Sequence, residues 1–476
     1  MVASTNILGG KIVGAFSFST TAPEKLQDKY DVVIVGSGAT GLTCALQAHE
    51  LGLQPLVVEK MAKIGGNTNR ASSGMNAAET NVQLQHGIVD SFAEFYQETY
   101  HGGGYLNDPQ LLRYFSTHAV LALDWLSAHG IELSDLTLTG GMSKKRAHRP
   151  ASTAPIGAFL IQGLLQALQQ QKIPLVTETT VTRLLRSTSG ATQGVEVKFA
   201  DGTKKTLHSK VVVLATGGFG ASKELLQKYR PDLLGYRTTN HAGATGDGLR
   251  LAHQVGAELM QMNLIQVHPT VQQDNPHAFL IGEAVRGEGA LLVSKGKRFV
   301  NELDTRRIVS NQITALPEKS AYLVFDQQVR ERVKAIDFYL KIGLVVTASS
   351  IAELAQKVGF EVAKLEETVK TWNQAVERGL DPQFGRTTGF GNGLTTAPYY
   401  AIHVAPAVHY TMGGIHINEK TQVLDGNGDV IPGLLAAGEV AGGLHGNNRI
   451  GGNSIAETIV FGRQAGQQAK VFTEQG

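Results

Sequence analysis

DVVIVGSGATGLTCALQAHELGLQPLVVEK, residues 31–60, is the stretch that decides the fold. Residues 31–35 are a short apolar strand. Gly36, Gly38 and Gly41 follow in G-x-G-x-x-G spacing. The first permits a tight turn, the second lets a pyrophosphate approach the backbone, and the third lets a helix pack on the sheet. Residues 39–52 carry helical spacing, so the N–H groups of the first turn face a phosphate. Residues 56–58 form a second strand that ends in Glu59, where a carboxylate can accept both hydroxyl hydrogens of an adenosine ribose. A glycine triplet alone is a weak signal and fits a bare βαβ crossover. With strand, helix, strand and a terminal acid in register, it reads as a dinucleotide site.

Composition sets limits around that unit. A chain of 476 residues exceeds what one core supports, so two or three domains are expected. Hydrophobic content of 42% and charged content of 18% are those of a globular protein. The 55 glycines against 14 prolines suggest close backbone approach to a ligand rather than disorder. A net charge of +2 argues against a nucleic-acid binder. The single cysteine, Cys44, rules out an internal disulfide, a cysteine-ligated cluster or a C-x-x-C-H haem site within this chain. No apolar run reaches membrane-spanning length. Residues 1–29 read as a leader or linker, and the compartment as cytoplasmic by default.

Downstream, residues 63–78 (KIGGNTNRASSGMNAA) are crowded with small and polar side chains, as a cofactor's phosphate and ring region requires. Residues 90–100, 108–129 and 155–170 have helical periodicity; in the second, Leu111, Leu112, Phe115, Leu121, Leu123, Trp125 and Leu126 supply the apolar face. Asp201-Gly202 between alternating runs predicts a hairpin. Residues 210–220 (KVVVLATGGFG) bring another buried strand, with Ala215 at its end, to the same crevice. Asp247 opens a helix, as cap or ligand contact. The texture changes near Leu264 and returns at residues 431–443 (IPGLLAAGEVAGG). The fold class is therefore α/β: a discontinuous Rossmann-like domain, residues 30–263 and 411–476, with an inserted α+β domain at 264–410, which the resemblance set out below implies is a clamp or capping domain.

GSGATG with Glu59, GGNTNRASSGMNA, VVVLATGGFG, HPT at His268, EAVRGEG, RFVNELDTR, VHYTMGGIHI and GEVAGGLHGNNRIGGNSI occur in that order. In these motifs the chain resembles the flavoprotein of the soluble fumarate reductase and flavocytochrome c family, related to succinate dehydrogenase flavoproteins, from about Tyr30 to the end. The resemblance implies FAD, held by Thr40, Glu59, Asn67, Thr68, Ser72, Ser73, Gly74, Asp247, Tyr410, Glu439, Gly452, Ser454 and Ile455 beside the glycines and Ala215. Membrane-bound relatives carry a histidine near position 67 that bonds to the flavin. Asparagine cannot, so the FAD is expected to be non-covalent.

The resemblance also implies an unsaturated carboxylate as substrate, gripped by His268, His409 and Arg449. Arginine suits that task, since its planar fork bonds a carboxylate bidentately. Hydride from flavin N5 would reach one alkene carbon, and Arg306 would protonate the other, with Glu283 and Arg286 as a relay. An arginine is an unusual acid, with a pKa above about 12, but the developing carbanion is very basic. Outside such a motif, a lone arginine is an ordinary surface charge. The remaining histidines, His416 and His445 among them, show no metal-ligand spacing, and no metal is expected. Ser72-Ser73 shows no hydrolase elbow.

Gly282 stands where many members have a threonine that donates to a substrate carboxylate; losing a hydroxyl costs about 1 kcal/mol and makes room. Fumarate remains the first expectation. Urocanate, methacrylate or a cinnamate-like acrylate is the alternative, followed by an aspartate oxidase or ketosteroid dehydrogenase activity and by a flavin-carrying electron-transfer subunit. With no haem motif and no nicotinamide site in the sequence, electrons are expected from reduced flavin or a separate donor protein or domain.

Overall fold

The computed structural model describes residues 6–8, 11–13, 16–275, 278–390 and 393–475. The leader-or-linker reading of 1–29 falls partly outside these residues, as do 276 and 277 of the loop before Gly282. The opening stretch folds as strand Val32–Val35, helix Ala39–Glu50 and strand Pro55–Val58. Both strands are buried at every position, which explains their unbroken apolar reading. They sit inside a six-stranded sheet ordered Gln422–Leu424, Val430–Ala436, Val211–Leu214, Val32–Val35, Pro55–Val58 and Leu175–Val176. All pairs are parallel except that of the edge strand Gln422–Leu424. A single layer thus draws strands from the start, middle and end of the chain.

Helix Asn453–Gln475 returns to this layer and packs along Ala39–Glu50. Gly462 and Gly466 permit the approach: a Cβ at either would press on Thr43 or on Gln47 and Ala48. The Asp201-Gly202 turn joins Thr192–Lys198 to Lys204–His208 as expected. A small sheet of Met75–Asn76, Ala147–Arg149 and Asp135–Thr137 was not expected, because strands this short carry no periodicity.

A second sheet is antiparallel: Ile265–Gln272, Tyr399–Thr411, Ala321–Asp326, Leu291–Ser294 and Lys297–Arg298, with Val346–Ala348 also on Tyr399–Thr411. Its apolar core runs from Ile281 to Val404 and includes Trp372, Phe325 and Tyr400, separate from the core of the parallel layer. The 13-residue strand Tyr399–Thr411 serves both cores, with Tyr400 to Val404 in one and Val408 in the other.

One side-chain expectation fails. On helix Pro109–Ala128 the buried stripe is Leu111, Leu112, Phe115, Ala119, Ala122, Leu123, Trp125 and Leu126, whereas Leu121 is 50% exposed. At about 100° per residue, position 121 lies beyond the edge of that stripe. Its apolar character misled; the two alanines hold the face.

Candidate functional site

The carboxyl ends of the parallel strands open on one cavity of ≈ 1020 Å³, reached by Val35 and Gly36, Val58 and Glu59, Ala215 and Ala437. Open α/β sheets bind ligands at this edge. Gly36 turns at φ +113, and a Cβ there would overlap the Ala215 carbonyl. Gly38 is the N-cap of helix Ala39–Glu50 and has no side chain to cap it; Thr68 Oγ1 accepts from Ala39 N–H at 3.2 Å. The helix therefore presents its N-terminal N–H groups to the cavity. Glu59 Oε2 accepts from Ser37 N (3.0 Å) and Ser37 Oγ (2.6 Å), and its Oε1 accepts from Met61 N (2.8 Å). These bonds fix the carboxylate on the cavity wall with lone pairs to spare.

Thr40, Asn67, Thr68, Ser72, Ser73, Asp247, Tyr410, Glu439, Ser454 and Ile455 lie on the same wall. Asp247 is the first residue of helix Asp247–Gln254 and pairs with Lys60 Nζ at 2.5 Å. Asn67 is held at both ends: its Nδ2 donates to Asn240 Oδ1 (2.6 Å) and its Oδ1 accepts from His241 N (2.9 Å). Glu439 Oε1 accepts from Thr411 N at 3.0 Å, and burial pushes its carboxyl up to about 7. Gly41, Gly74 and Gly452 stand off the wall and act through packing. A Cβ on them would overlap the Gly36 carbonyl, press on the His148 carbonyl or press on Asn76.

A cluster of basic groups borders the same cavity. Arg306, His409 and Arg449 reach its wall; His268, Gly282, Glu283 and Arg286 stand immediately behind. Arg306, the first residue of helix Arg306–Ala315, donates from Nε to Glu283 Oε1 at 2.5 Å. Arg286 Nη2 donates to the same oxygen at 3.3 Å. Burial alone would raise Glu283, but Arg306 and Arg286 outweigh it and hold the carboxyl below its usual range. Burial lowers Arg286 to about 10 and Arg449 to about 9, so both remain cations at neutral pH. His268 and His409, with ring centroids 5.0 Å apart, are pushed well below the usual imidazole range by burial and then by the arginines, and are neutral. Thr270 N donates to His268 Nδ1 at 3.2 Å, which leaves the ring proton on Nε2. Among the described residues, that Nε2 and Arg449 Nε are buried donors without a protein partner, and Glu283 Oε2 is a buried acceptor without one. Unspent donors such as the first two are what a carboxylate requires.

Sequence reasoning missed several supports. Gln266 Oε1 accepts from Arg306 Nη1 at 3.1 Å, and Gln266 Nε2 donates to the Arg449 backbone carbonyl at 2.7 Å, tying the Arg306 guanidinium to the main chain at Arg449. Gly451 lets Glu283 and Arg306 meet: a Cβ there would overlap Glu283 Oε2 and lie 3.1 Å from Arg306 Nη2. Tyr410 donates to Glu457 Oε2 at 2.5 Å, and His445 Nε2 lies 3.0 Å from the same oxygen, so His445 is a buried part of the wall's support. His416 pairs only with Glu258, at 2.5 Å. No cue in sequence pairs residues so far apart.

A glycine cradle, a helix N-terminus and an anchored acid on one continuous cavity have the make-up of a dinucleotide site, and a cluster of buried arginines and histidines borders it. The family described as FAD binding domain matches residues 31–455. An NADH:fumarate oxidoreductase of Klebsiella pneumoniae (strain 342) is 47% identical over 469 residues, covering 98% of this chain and 50% of that protein. A fumarate reductase (cytochrome) of Shewanella frigidimarina is 41% identical over 449 residues, 94% of this chain and 78% of the relative. Among solved structures, the open conformation of a flavocytochrome c3 fumarate reductase superposes with a TM-score of 0.77 at 36% identity, over 94% of this chain and 79% of that one. The chain belongs to this family of FAD-binding oxidoreductases, and its cofactor is FAD. It spans half the length of the Klebsiella relative. Among the described residues no helix is long and apolar enough to cross a membrane.

Proposed function

We propose that this chain is the catalytic unit of a fumarate reductase, with non-covalent FAD in the parallel layer (residues 30–263 and 411–476) and residues 264–410 as a clamp over it. The observation that carries the reading is Arg306 on the cavity wall, bonded through Glu283 to Arg286 and flanked by Arg449 and His409. Bound FAD supplies a hydride. Everything else is work for the chain's own side chains.

Arg449 and His409 bind one carboxylate of the substrate, and His268, its ring packed against His409 behind the wall, holds an unspent Nε2–H in reserve beside them. Fixing both ends of a flat dicarboxylate orients its double bond and draws electron density from it. An Arg306 Nη–H then protonates the carbon that carries the developing negative charge. Glu283 already accepts from Arg306 Nε, and Arg286, lowered to about 10, is a better proton source than an ordinary arginine. Arg286 and Glu283 therefore restore the Arg306 proton. Electrons reach the flavin from reduced soluble flavin or from a donor protein or domain outside this chain. The compartment proposed is the cytoplasm.

Anaerobic reoxidation of the dithionite-reduced protein tests the assignment. Fumarate is expected to restore the oxidised flavin spectrum within seconds and to yield succinate. Faster reoxidation by urocanate or acrylate than by fumarate would replace the substrate, and a dead flavin with all three acids would reject the reductase reading. Gly282 is the observation that keeps another unsaturated acid as the second reading, because a residue without a side chain there leaves Ser72 and Tyr339 to border the substrate in place of a hydroxyl at 282.

A further inference from the structure

We infer that the hydroxyl of Tyr339, with Ser72 opposite it, forms a carboxylate subsite beside Gly282 and selects dicarboxylates over monocarboxylates; this rests on the proposed reductase reading. Tyr339 lies on helix Ala335–Lys341 of the second core and is only 4% exposed, yet it is part of the cavity wall. Ser72 reaches the same wall from the segment that follows the glycine cradle. A Cβ at Gly282 would sit 3.4 Å from Ser72 Oγ and 3.7 Å from Tyr339 Oη, so the two hydroxyls flank this residue from two sides, and both reach the cavity wall.

Hydrogen-bond accounting shows what that space lacks. Tyr339 Oη accepts from Gly282 N–H at 3.2 Å, which spends one lone pair and fixes the ring. Its own hydrogen goes to no protein acceptor, and Ser72 Oγ has no protein partner. A buried phenol with an unspent O–H is costly without an acceptor. Burial also raises the Tyr339 phenol, so it stays protonated and remains a donor. Arg306 lies on the same wall, and Glu283 behind it pairs with Arg306 and Arg286 rather than with these hydroxyls. An anionic oxygen is the acceptor that fits, and a carboxylate can take both hydroxyl hydrogens at once. Tyr339 and Ser72 come from different layers, so the second carboxylate of a diacid bridges them, whereas a monoacid satisfied at Arg449 has nothing to offer here.

The test compares wild type, Tyr339→Phe and Ser72→Ala, each loaded with FAD, in steady-state reduction of fumarate and acrylate with reduced methyl viologen. Alongside it, succinate and propionate are titrated against the oxidised flavin spectrum. Loss of a hydrogen bond to a charged group predicts a roughly tenfold rise in KM for fumarate and in Kd for succinate in Tyr339→Phe. In Tyr339→Phe the kcat should change less than threefold and the constants for acrylate and propionate should stay unchanged; Ser72→Ala, whose side chain also borders the FAD, is read only by its ratio of succinate to propionate Kd, which should rise. A purely structural role would shift diacid and monoacid constants together, and equal shifts would overturn the inference. Unchanged diacid constants in both variants would overturn it as well. If Tyr339→Phe does not fold, the ratio of succinate to propionate Kd in Ser72→Ala decides: a raised ratio supports the inference and an unchanged one overturns it. Failure of the reductase reading looks different: wild type then leaves fumarate unreduced, and succinate against propionate binding still decides the subsite.

Discussion

Arg306 touches Glu283 and Gln266 and nothing in the first core's sheet, so its removal should leave FAD binding intact. Arg306→Ala is expected to purify with a normal flavin spectrum and to lose at least about 10²–10⁴ in kcat, the usual contribution of a positioned acid. A variant that keeps full turnover would remove Arg306 from the mechanism. Gly451 is the less obvious member of the site. Gly451→Ala forces a methyl group into the Glu283–Arg306 contact, at a cost of about 1–3 kcal/mol for overpacking. Its melting temperature and kcat should both fall while bound flavin is retained; unchanged values of both would mean that the contact tolerates the insertion. Glu439 sets a pH dependence. Its folded carboxyl stands at about 7 against an ordinary 4.5, so its contribution is fully present below about 4.5 and lost as pH rises through about 7. In flavin-stripped protein, Glu439→Gln should therefore gain thermal stability over wild type progressively from pH 5 to 8. Parallel melting curves over that range would contradict the assignment.

Helix Ala39–Glu50 depends on Gly41, where a side chain would strike the Gly36 carbonyl. Gly41→Ala must push the helix off the strand and withdraw its N–H groups from the cavity. The expected result, read by flavin titration, is a drop in FAD affinity of tenfold or more. Affinity equal to wild type would show that the helix N-terminus is not the phosphate site. This element was legible because its determinants are local: a strand, three glycines, a helix and an acid all fall within residues 31–59. The parallel layer could be read for the same reason, since buried strands running into glycines recur at Val211–Leu214 and Val430–Ala436. Arg306, Glu283 and His409 became legible through motif resemblance, not periodicity. What escaped was non-local. Gln266 meets Arg306, Gly451 meets Glu283 and Tyr339 meets Gly282 only after the second sheet has formed. Leu121 shows the opposite error, a local apolar cue overruled by the phase of a long helix.

At the scale of the whole chain, the ligand cavity draws its wall from both hydrophobic cores, with Val35, Val58 and Ala215 from one and Tyr339 from the other. A ligand bound there stabilises the folded state by mass action, about 4 kcal/mol at a thousandfold excess over Kd. FAD at that excess should raise the melting temperature by several degrees and slow proteolysis of both halves together. Protection confined to one half would mean that the cores respond independently. Strand Tyr399–Thr411 bears on how they communicate. Its pairing with Ile265–Gln272 slips between His268 and Val271, where Pro269 offers no N–H to the ladder. A ribbon interrupted at that point bends there in preference to anywhere along its regular length. His268 sits at the bend and His409 just beyond it on the partner strand. A second register shift, between Gln266 and Val267, skips His409, so both imidazoles stand at breaks in the ladder rather than in its regular part.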